Sequence, residues 1–394
     1  MAEVVIVEAV RSAIGKRNGG LSLMDPVELL GDVQKGLIDR AGIDPLEVGH
    51  VLGGCINQLG NQAANVVRNA WLGAGLPLEV PAATVQSQCG SSQEAHTLAH
   101  AMVGSGLVDV AVACGIESMS RVPIGSANPD DSPYGIPRGG RYKTVYEPTT
   151  QFEACERIAE HWGITRQELE KFGKLSQDRA AQAWAEGRFD GQIIPINAPV
   201  ADDNGNIVGR KVIDRDEGMR ETTLEGLAKL KPNMKDRNPA FHTAGTSSQI
   251  VDGASAVLMM TPKKAEQLGL EPKARIVDSV LAGSDPVMML TGPIPATKLL
   301  LERTGLSLDD IDLFEINEAF ASVVLAWSKE TGAPIAKTNP NGGAIALGHP
   351  LGATGTILIT KAVHELERTG GRYALISMCC GGGMATGTII ERLS

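Results

Sequence analysis

The strongest constraint on the fold is that the chain spells out one pattern of elements twice. Arg40, Gly42, Ile43, Val48 and Val51 recur as Arg303, Gly305, Leu306, Ile311 and Phe314, all at one offset of 263 residues. Around the first set, strands at Val4 to Val10, Val48 to Gly53 and Asp109 to Cys114 alternate with helices, from apolar runs and 3.6-residue periodicity. One helix opens at Pro26 with a buried face of Leu29, Leu30, Val33 and Leu37, one covers 61–72, and one runs from just past Cys89 through Val103. Asp25-Pro26 opens the first helix in N-cap and N1 positions. The same alternation returns after residue 270, with strands at Arg275 to Leu281, Ile311 to Ile316 and Tyr373 to Met378, and helices at Ala296 to Arg303, Glu318 to Lys329 and Gly352 to Arg368. Two copies of one α/β unit follow, each expected to build a largely parallel sheet covered on both faces.

A different texture separates the copies. Residues 119–150, with Pro123, Pro129, Pro133, Pro137 and Pro148, are expected to be irregular, Thr165 to Glu168 is a capping box opening a helix to about Trp184, and 196–240 reads as polar loops. The strand Ala254 to Met260 then closes the first copy. The division expected is 1–118 with 246–270, an inserted loop domain over 119–245, and 271–394.

Within this frame Cys89 stands at a corner. Ala82 to Val85 is a short buried strand, Ala95, Leu98, Ala99, Met102 and Val103 mark one helix face, and Ser91 with Glu94 has capping-box spacing. A sulfur there is near unpaired N–H groups and the positive helix end, which favours thiolate. The competing reading is a small buried apolar side chain.

The second copy adds three stretches. Asn317-Glu-Ala-Phe-Ala321 sits at a strand's C-terminal end, where α/β sheets hold ligands. The run from Asn341 through His349 to Gly355 carries glycines that permit close backbone approach, and Met378-Cys379-Cys380-Gly381-Gly382-Gly383 ends another strand. Taken singly, Asn317 reads as a helix cap, His349 as a structural histidine and the glycines as a loop.

Composition narrows the class. Hydrophobic content of 43% with 21% charged residues describes a globular chain, and no run approaches the ~18 apolar residues of a membrane helix. The N-terminus enters a strand without a basic leader, and the C-terminus carries no peroxisomal address. Six scattered cysteines fit a reducing cytoplasm, and neither they nor the seven histidines show metal-site spacing, so no metal is expected. A net charge of −10 argues against nucleic acid. Residues 119–245 hold 18 basic and 19 acidic residues, so nearly all of that charge lies elsewhere and the insert is the part least hostile to an anion.

In combination these blocks resemble the thiolases along nearly the whole chain. The Cys89 corner, Asn317-Glu-Ala-Phe, the glycine-rich run through His349 and Cys379-Cys-Gly-Gly-Gly occur in that family's order and spacing. Ala113 to Arg121, Gln151-Phe-Glu-Ala, His242 to Ile250 and Thr388 to Arg392 are similar to the actinobacterial degradative thiolases that shorten steroid side chains. The resemblance implies a five-layered αβαβα fold of two similar halves, with a loop domain that binds coenzyme A as co-substrate and no tightly bound cofactor. It implies that Cys89 is the nucleophile that becomes acylated, that Cys379 is the acid and base, and that His349 activates Cys89. His349 with a water held by Asn317 would form one oxyanion site, and the N–H groups of Cys89 and Gly381 the other. Arg220 and Ser248 match positions that contact coenzyme A, whereas Gly226 replaces a frequent serine. Cys380 and Gly90-Ser91-Ser92 also depart from the common pattern, and the neutral reading of Cys380 is a small buried side chain. A homodimer or homotetramer is implied, with tetramer contacts after Arg121.

Three alternatives compete. A decarboxylating condensing enzyme of the ketoacyl-synthase type has no use for a second thiol such as Cys379, and a non-catalytic lipid or coenzyme A carrier would not need Cys89, Asn317, His349 and Cys379 together. A papain-like hydrolase lacks support around Cys89. Thiolysis of a 3-oxoacyl-CoA, or its reverse as an acetyl-CoA acetyltransferase, is the activity implied.

Overall fold

The computed structural model describes residues 2–127 and 132–393; Pro129 of the proline-rich stretch and the terminal Met1 and Ser394 lie outside them. The first copy runs β1 (Val5–Ser12), β2 (Gly15–Lys16), α1 (Pro26–Ala41), β3 (His50–Gly54), α2 (Val66–Gly73), β4 (Ala82–Val85), α3 (Ser91–Gly104) and β5 (Val110–Ser118). The intervening segment holds α4 (Gln151–His161), α5 (Arg166–Ala185), β6 (Ile193–Ile194), β7 (Ile196–Ala201), β8 (Ile207–Ile213) and α6 (Leu224–Ala228), after which β9 (Val251–Met260) and α7 (Pro262–Leu268) rejoin the first copy. The second copy is β10 (Ala274–Gly283), α8 (Pro293–Thr304), β11 (Leu313–Ile316), α9 (Ala321–Thr331), α10 (Thr354–Thr369), β12 (Tyr373–Cys380) and β13 (Met384–Arg392).

The offset of 263 is structural. It carries the start of α3 onto that of α10 and β5 onto β12, and it superposes the glycine ends of α1 and α8, since Gly42 and Gly305 both adopt left-handed backbone at φ 68° and 71°. Local signals explain the other ends: Asp25 accepts the Val27 N–H at 2.8 Å, and Thr165 with Glu168 forms the expected capping box.

The strands run in the order β11-β12-β13-β10-β1-β9-β5-β3-β4, and the two halves join where Val5 and Ile6 of β1 pair with Arg275 and Ala274 of β10. Alternation along β5 sets the layers. Val110, Val112, Cys114 and Ile116 face an outer core with α1 and α2, while Ala111 and Ala113 face an inner core shared with α3, α10 and the second half's strands. A third core buries the far face of the second half under α8 and α9. The result is five layers, αβαβα, with α3 and α10 enclosed between sheets.

Two expectations are corrected. The sheets are mixed: β3–β4, β3–β5 and β11–β12 are parallel, but β1–β9, β5–β9, β10–β13 and β12–β13 are antiparallel. The glycine turn after Cys380 makes a hairpin, and β9 enters from the insert instead of from a crossover helix. The stretch from 196 is not all loop, because β7 and β8 pair as a hairpin; β8 is exposed along most of its length and so carries no apolar alternation to read.

The insert is locked to β1 by a buried ion pair. Arg11 donates to both oxygens of Asp216 at 2.7 and 3.0 Å, both side chains are inaccessible, and Asp216 also accepts the Ile14 N–H and the Trp184 indole N–H. Removing one partner strands the other charge. Asp216→Ala is therefore expected to destabilise the fold by about 3–5 kcal/mol in chemical denaturation.

Candidate active site

Cys89 sits on a sharp turn between β4 and α3. Gln88 before it holds φ 52°, a costly conformation for a residue with a side chain. Ser91 explains how the turn is held. Its hydroxyl accepts the Ser87 N–H at 2.9 Å and donates to the Gln88 carbonyl at 2.5 Å. The expected capping box is thereby overturned: Gly90 is the N-cap with no side-chain cap, because the serine oxygen is already spent on the turn. A Cβ on Gly90 would collide with the Cys380 sulfur, so the glycine and the buried Cys380 fit as a pair. Cys380 is thus a small packed side chain.

The turn presents the Cys89 sulfur to two backbone donors, its own N–H and that of Gly381. Burial outweighs them and pushes the thiol up to about 11, with the Glu117 charge adding a little. Burial thus works against the thiolate that the helix N-terminus is expected to favour. Cys379, wholly buried, is raised well above the ordinary thiol range by burial and by charge on Cys89 and Cys380. It does not rest near neutrality as expected, but its coupling to Cys89 places the two sulfurs, 290 residues apart in sequence, in one electrostatic neighbourhood.

His349 completes the group. Its Nδ1 lies 2.6 Å from Thr354 Oγ1, whose own proton goes to the Pro350 carbonyl at 2.9 Å, so Nδ1–H donates and Nε2 keeps its lone pair. Asn317 Nδ2 lies 3.3 Å from that Nε2, and the Asn317 amide oxygen is buried without a hydrogen-bond partner among the described residues. Burial lowers His349 to about 3, so the ring is neutral across the physiological range.

Carboxylates fix the loops that carry these groups. Glu318 accepts the Asn339 amide, the Ser176 hydroxyl and the Ile345 N–H, tying the strand end at Asn317 to the loop that leads to His349. Glu117 accepts N–H groups from Ile56, Asn57, Gln62 and Gly352, gripping the same loop from the other half.

A cleft of about 1110 Å³ opens onto the site. Cys89, His349 and Gly381 line it, together with Arg220, Gly226 and Ser248; Asn317 and Cys379 are buried and not part of the lining. Phe152, Phe320, Leu290 and Met119 give it apolar walls. One element sequence spacing could not show lies beside it: Cys155, Glu156 and His242 offer ligand atoms within 4.8 Å of one another, all buried. Glu156 already accepts the Phe241 and His242 N–H groups at 2.7 and 3.0 Å.

Comparison with known proteins bears directly on this arrangement. Family models for the thiolase N-terminal and C-terminal domains match residues 4–263 and 270–392. The chain belongs to the thiolase family. It is an acyltransferase by that membership, and its five-layered fold is the thiolase fold. It is 47% identical to a steroid 3-ketoacyl-CoA thiolase, FadA6, of Mycobacterium tuberculosis, covering 100% of this chain and 95% of that one. It is 41% identical to a β-ketoadipyl-CoA thiolase of Acinetobacter baylyi over the full length of both. The crystal structure of the Bacillus anthracis acetyl-CoA acetyltransferase superposes with a TM-score of 0.90 at 37% identity, covering 100% and 99% of the two chains.

Sequence reading overlooked Thr354 and Glu117 in this thiolase. Thr354 lies five residues after His349 and one turn of chain could have exposed it; Glu117 acts only through contacts distant in sequence. The thiol chemistry yields a direct test. With Cys89 raised to about 11, its thiolate fraction grows with pH throughout the neutral range, so iodoacetamide labelling of Cys89, read by mass spectrometry, is expected to accelerate about tenfold per unit from pH 7 to 9 without a plateau.

Proposed function

We propose that this thiolase cleaves a 3-oxoacyl-CoA with coenzyme A, through an acyl group carried on Cys89, to give acetyl-CoA or propionyl-CoA and a shortened acyl-CoA. The observation that supports the reading is that Cys89, the neutral imidazole of His349 and Gly381 share one cleft lining, while the buried Cys379 thiol feels the charge of Cys89. In the first half-reaction Cys89 gives its proton to His349 Nε2 and attacks the 3-keto carbon. The bond between C2 and C3 breaks, the enolate of acetyl-CoA departs, and the Cys379 thiol protonates its carbon. In the second, the Cys379 thiolate takes the proton of incoming coenzyme A, whose sulfur attacks the acyl-Cys89 thioester. Cys89 leaves as thiolate and recovers its proton from His349.

Neither thiolate nor imidazolium is favoured in the resting protein, so charge separation has to accompany attack. Donors at the positions where oxyanions develop make that possible. The N–H groups of Cys89 and Gly381 suit the tetrahedral intermediates, and His349 with a water on the free Asn317 oxygen suits the enolate. One such donor is worth on the order of 3 kcal/mol of transition-state stabilisation.

Arg220, Ser248 and the insert would hold coenzyme A. Gly226 offers no hydroxyl there, and its own N–H is used by Thr223 at 3.0 Å. Similarity to FadA6 and the apolar walls support a bulky, steroid-linked acyl chain; condensation of two acetyl-CoA is the second reading, supported by likeness to the Bacillus anthracis enzyme. A reducing cytoplasm and a dimer or tetramer accord with the free cysteines and with the family. Among the described residues no helix is long and apolar enough to cross a membrane.

Cys89→Ala is expected to abolish thiolysis of acetoacetyl-CoA while leaving coenzyme A binding within about twofold, and turnover persisting in that variant rejects the assignment. Cys379→Ser is expected to trap acyl-Cys89 visible by mass spectrometry. Steady-state profiling is expected to give higher kcat/KM for bulky 3-oxoacyl-CoA esters than for acetoacetyl-CoA, and the opposite order favours the acetyltransferase reading.

A further inference from the structure

The cleft's charge is out of character with the chain. Its charged lining comprises Lys16, Arg17, Arg220 and Glu221, three cations to one anion, in a molecule of net charge −10. Lys16 and Arg17 come from the first half, not from the insert that carries Arg220.

Most arginines of this protein are engaged by carboxylates or carbonyls, yet neither the Lys16 nor the Arg17 side chain makes an ion pair or hydrogen bond to a described residue. Arg220 has one long contact, 3.5 Å to Gln249 Oε1. Free cations on a solvated face are ordinary. These differ because the backbone beneath them is built.

The loop after β2 is stapled to the segment that leads to Arg220. Glu217 accepts the Lys16 N–H at 3.1 Å and the Gly20 N–H at 2.9 Å, and its own N–H donates to the Ile14 carbonyl at 3.0 Å. Asp216 beside it accepts the Ile14 N–H and pairs with Arg11. Asn18 turns the loop with φ 56° and donates its N–H to Ser120 Oγ at 3.1 Å. A Cβ on Gly19 would strike the Glu217 carboxylate, so the loop closes directly on that residue. Arg17 and Arg220 are thus carried by two backbone segments that cannot move independently. Glu217, three residues before Arg220, is engaged by backbone, since both its oxygens accept N–H groups.

We propose that Lys16 and Arg17 form, opposite Arg220, the second jaw of a cationic clamp for the phosphates of coenzyme A. This rests on the coenzyme A reading above and adds residues of the first half to it. Three cations in the lining of a cleft with apolar walls suit a ligand with a polyanionic head and a thin neutral arm. Arg17 supplies the planar fork that pairs with phosphate oxygens, and Lys16 a point charge.

The test compares acyl acceptors in thiolysis of acetoacetyl-CoA. For a reaction through an acyl-enzyme, kcat/KM for the acceptor reports the second half-reaction alone. Arg17→Ala is expected to lower kcat/KM for coenzyme A about tenfold, an effect of the size a charge-assisted contact gives, while changing kcat/KM for pantetheine, which has no phosphate, less than twofold. Lys16→Ala is expected to act in the same direction, more weakly. With 3′-dephospho-CoA, disappearance of the Arg17→Ala penalty assigns the clamp to the 3′-phosphate, and its persistence assigns it to the diphosphate. Equal losses on pantetheine and coenzyme A, or no loss on coenzyme A in the double variant, overturn the proposal. Calorimetric titration with coenzyme A reads the clamp without turnover: binding weakened in Arg17→Ala supports it even if the wild-type protein fails to catalyse thiolysis, an outcome that would sink the catalytic reading alone.

Discussion

One buried carboxylate holds the two halves in the relation the site requires. Glu117, at the end of β5, is inaccessible, and burial raises its pKa against the hydrogen bonds of Ile56, Asn57 and Gln62. It also takes the Gly352 N–H at 3.0 Å, so a first-half strand end grips the loop between His349 and α10. Glu318 grips the preceding part of that loop from the second half. An isolated carboxylate in such surroundings costs several kcal/mol, and the converging donors are what make the ion tolerable. The arrangement is consequently stiff: shifting the His349 loop would strand a charge on one side or the other.

Stiffness matters to the proposed chemistry because the thiols and the imidazole it uses are neutral at rest. Burial raises both thiols and lowers the imidazole, so the dry interior disfavours every charged form that thiol chemistry needs. The same dryness strengthens each fixed dipole aimed at a developing charge. Thr354 matters here out of proportion to its size, since by accepting Nδ1–H it leaves the basic nitrogen of His349 facing Asn317. On the mechanism proposed above, a neutral, oriented imidazole and a neutral thiol in one cleft lining commit no proton until a substrate carbonyl meets the donors.

Much of this was legible in the chain because local chemistry and periodicity agree with the fold. The repeat at 263 residues and the Asp25 and Thr165 caps are local facts that the structure keeps. Illegible features are those decided by distant partners. Ser91 and Glu94 have capping-box spacing, yet the hydroxyl closes the turn on Ser87 and Gln88, because a strained Gln88 needs it more than the helix does. Alternation of strands and helices reads as parallel, but β9 and β13 close each half antiparallel. The pull of burial on Cys89 is equally hard to read: a helix N-terminus is visible in sequence, whereas the protein packed around the sulfur is not. Glu117 reads as an ordinary strand-end acid, and only the arrival of Gly352 from 235 residues away gives it a role.

The division of labour between elements also accounts for how relatives with differently named substrates share one scaffold. The groups clustered around Cys89 sit at strand ends and at the starts of α3 and α10, inside layers that tolerate little change: a Cβ at Gly355 would meet the backbone of Gln93, where those two helices cross. Part of the cleft lining, including Arg220, Gly226 and Leu227, comes from the insert, whose β7–β8 hairpin and short α6 have few buried residues and can be rebuilt without touching the inner core. The insert is nonetheless not free to drift, because Asp216 ties it through Arg11 to β1, the strand on which the two halves meet. Recognition can therefore vary in shape while its register against the chemistry stays fixed. That is the arrangement expected of a fold whose relatives are named for different acyl-CoA substrates.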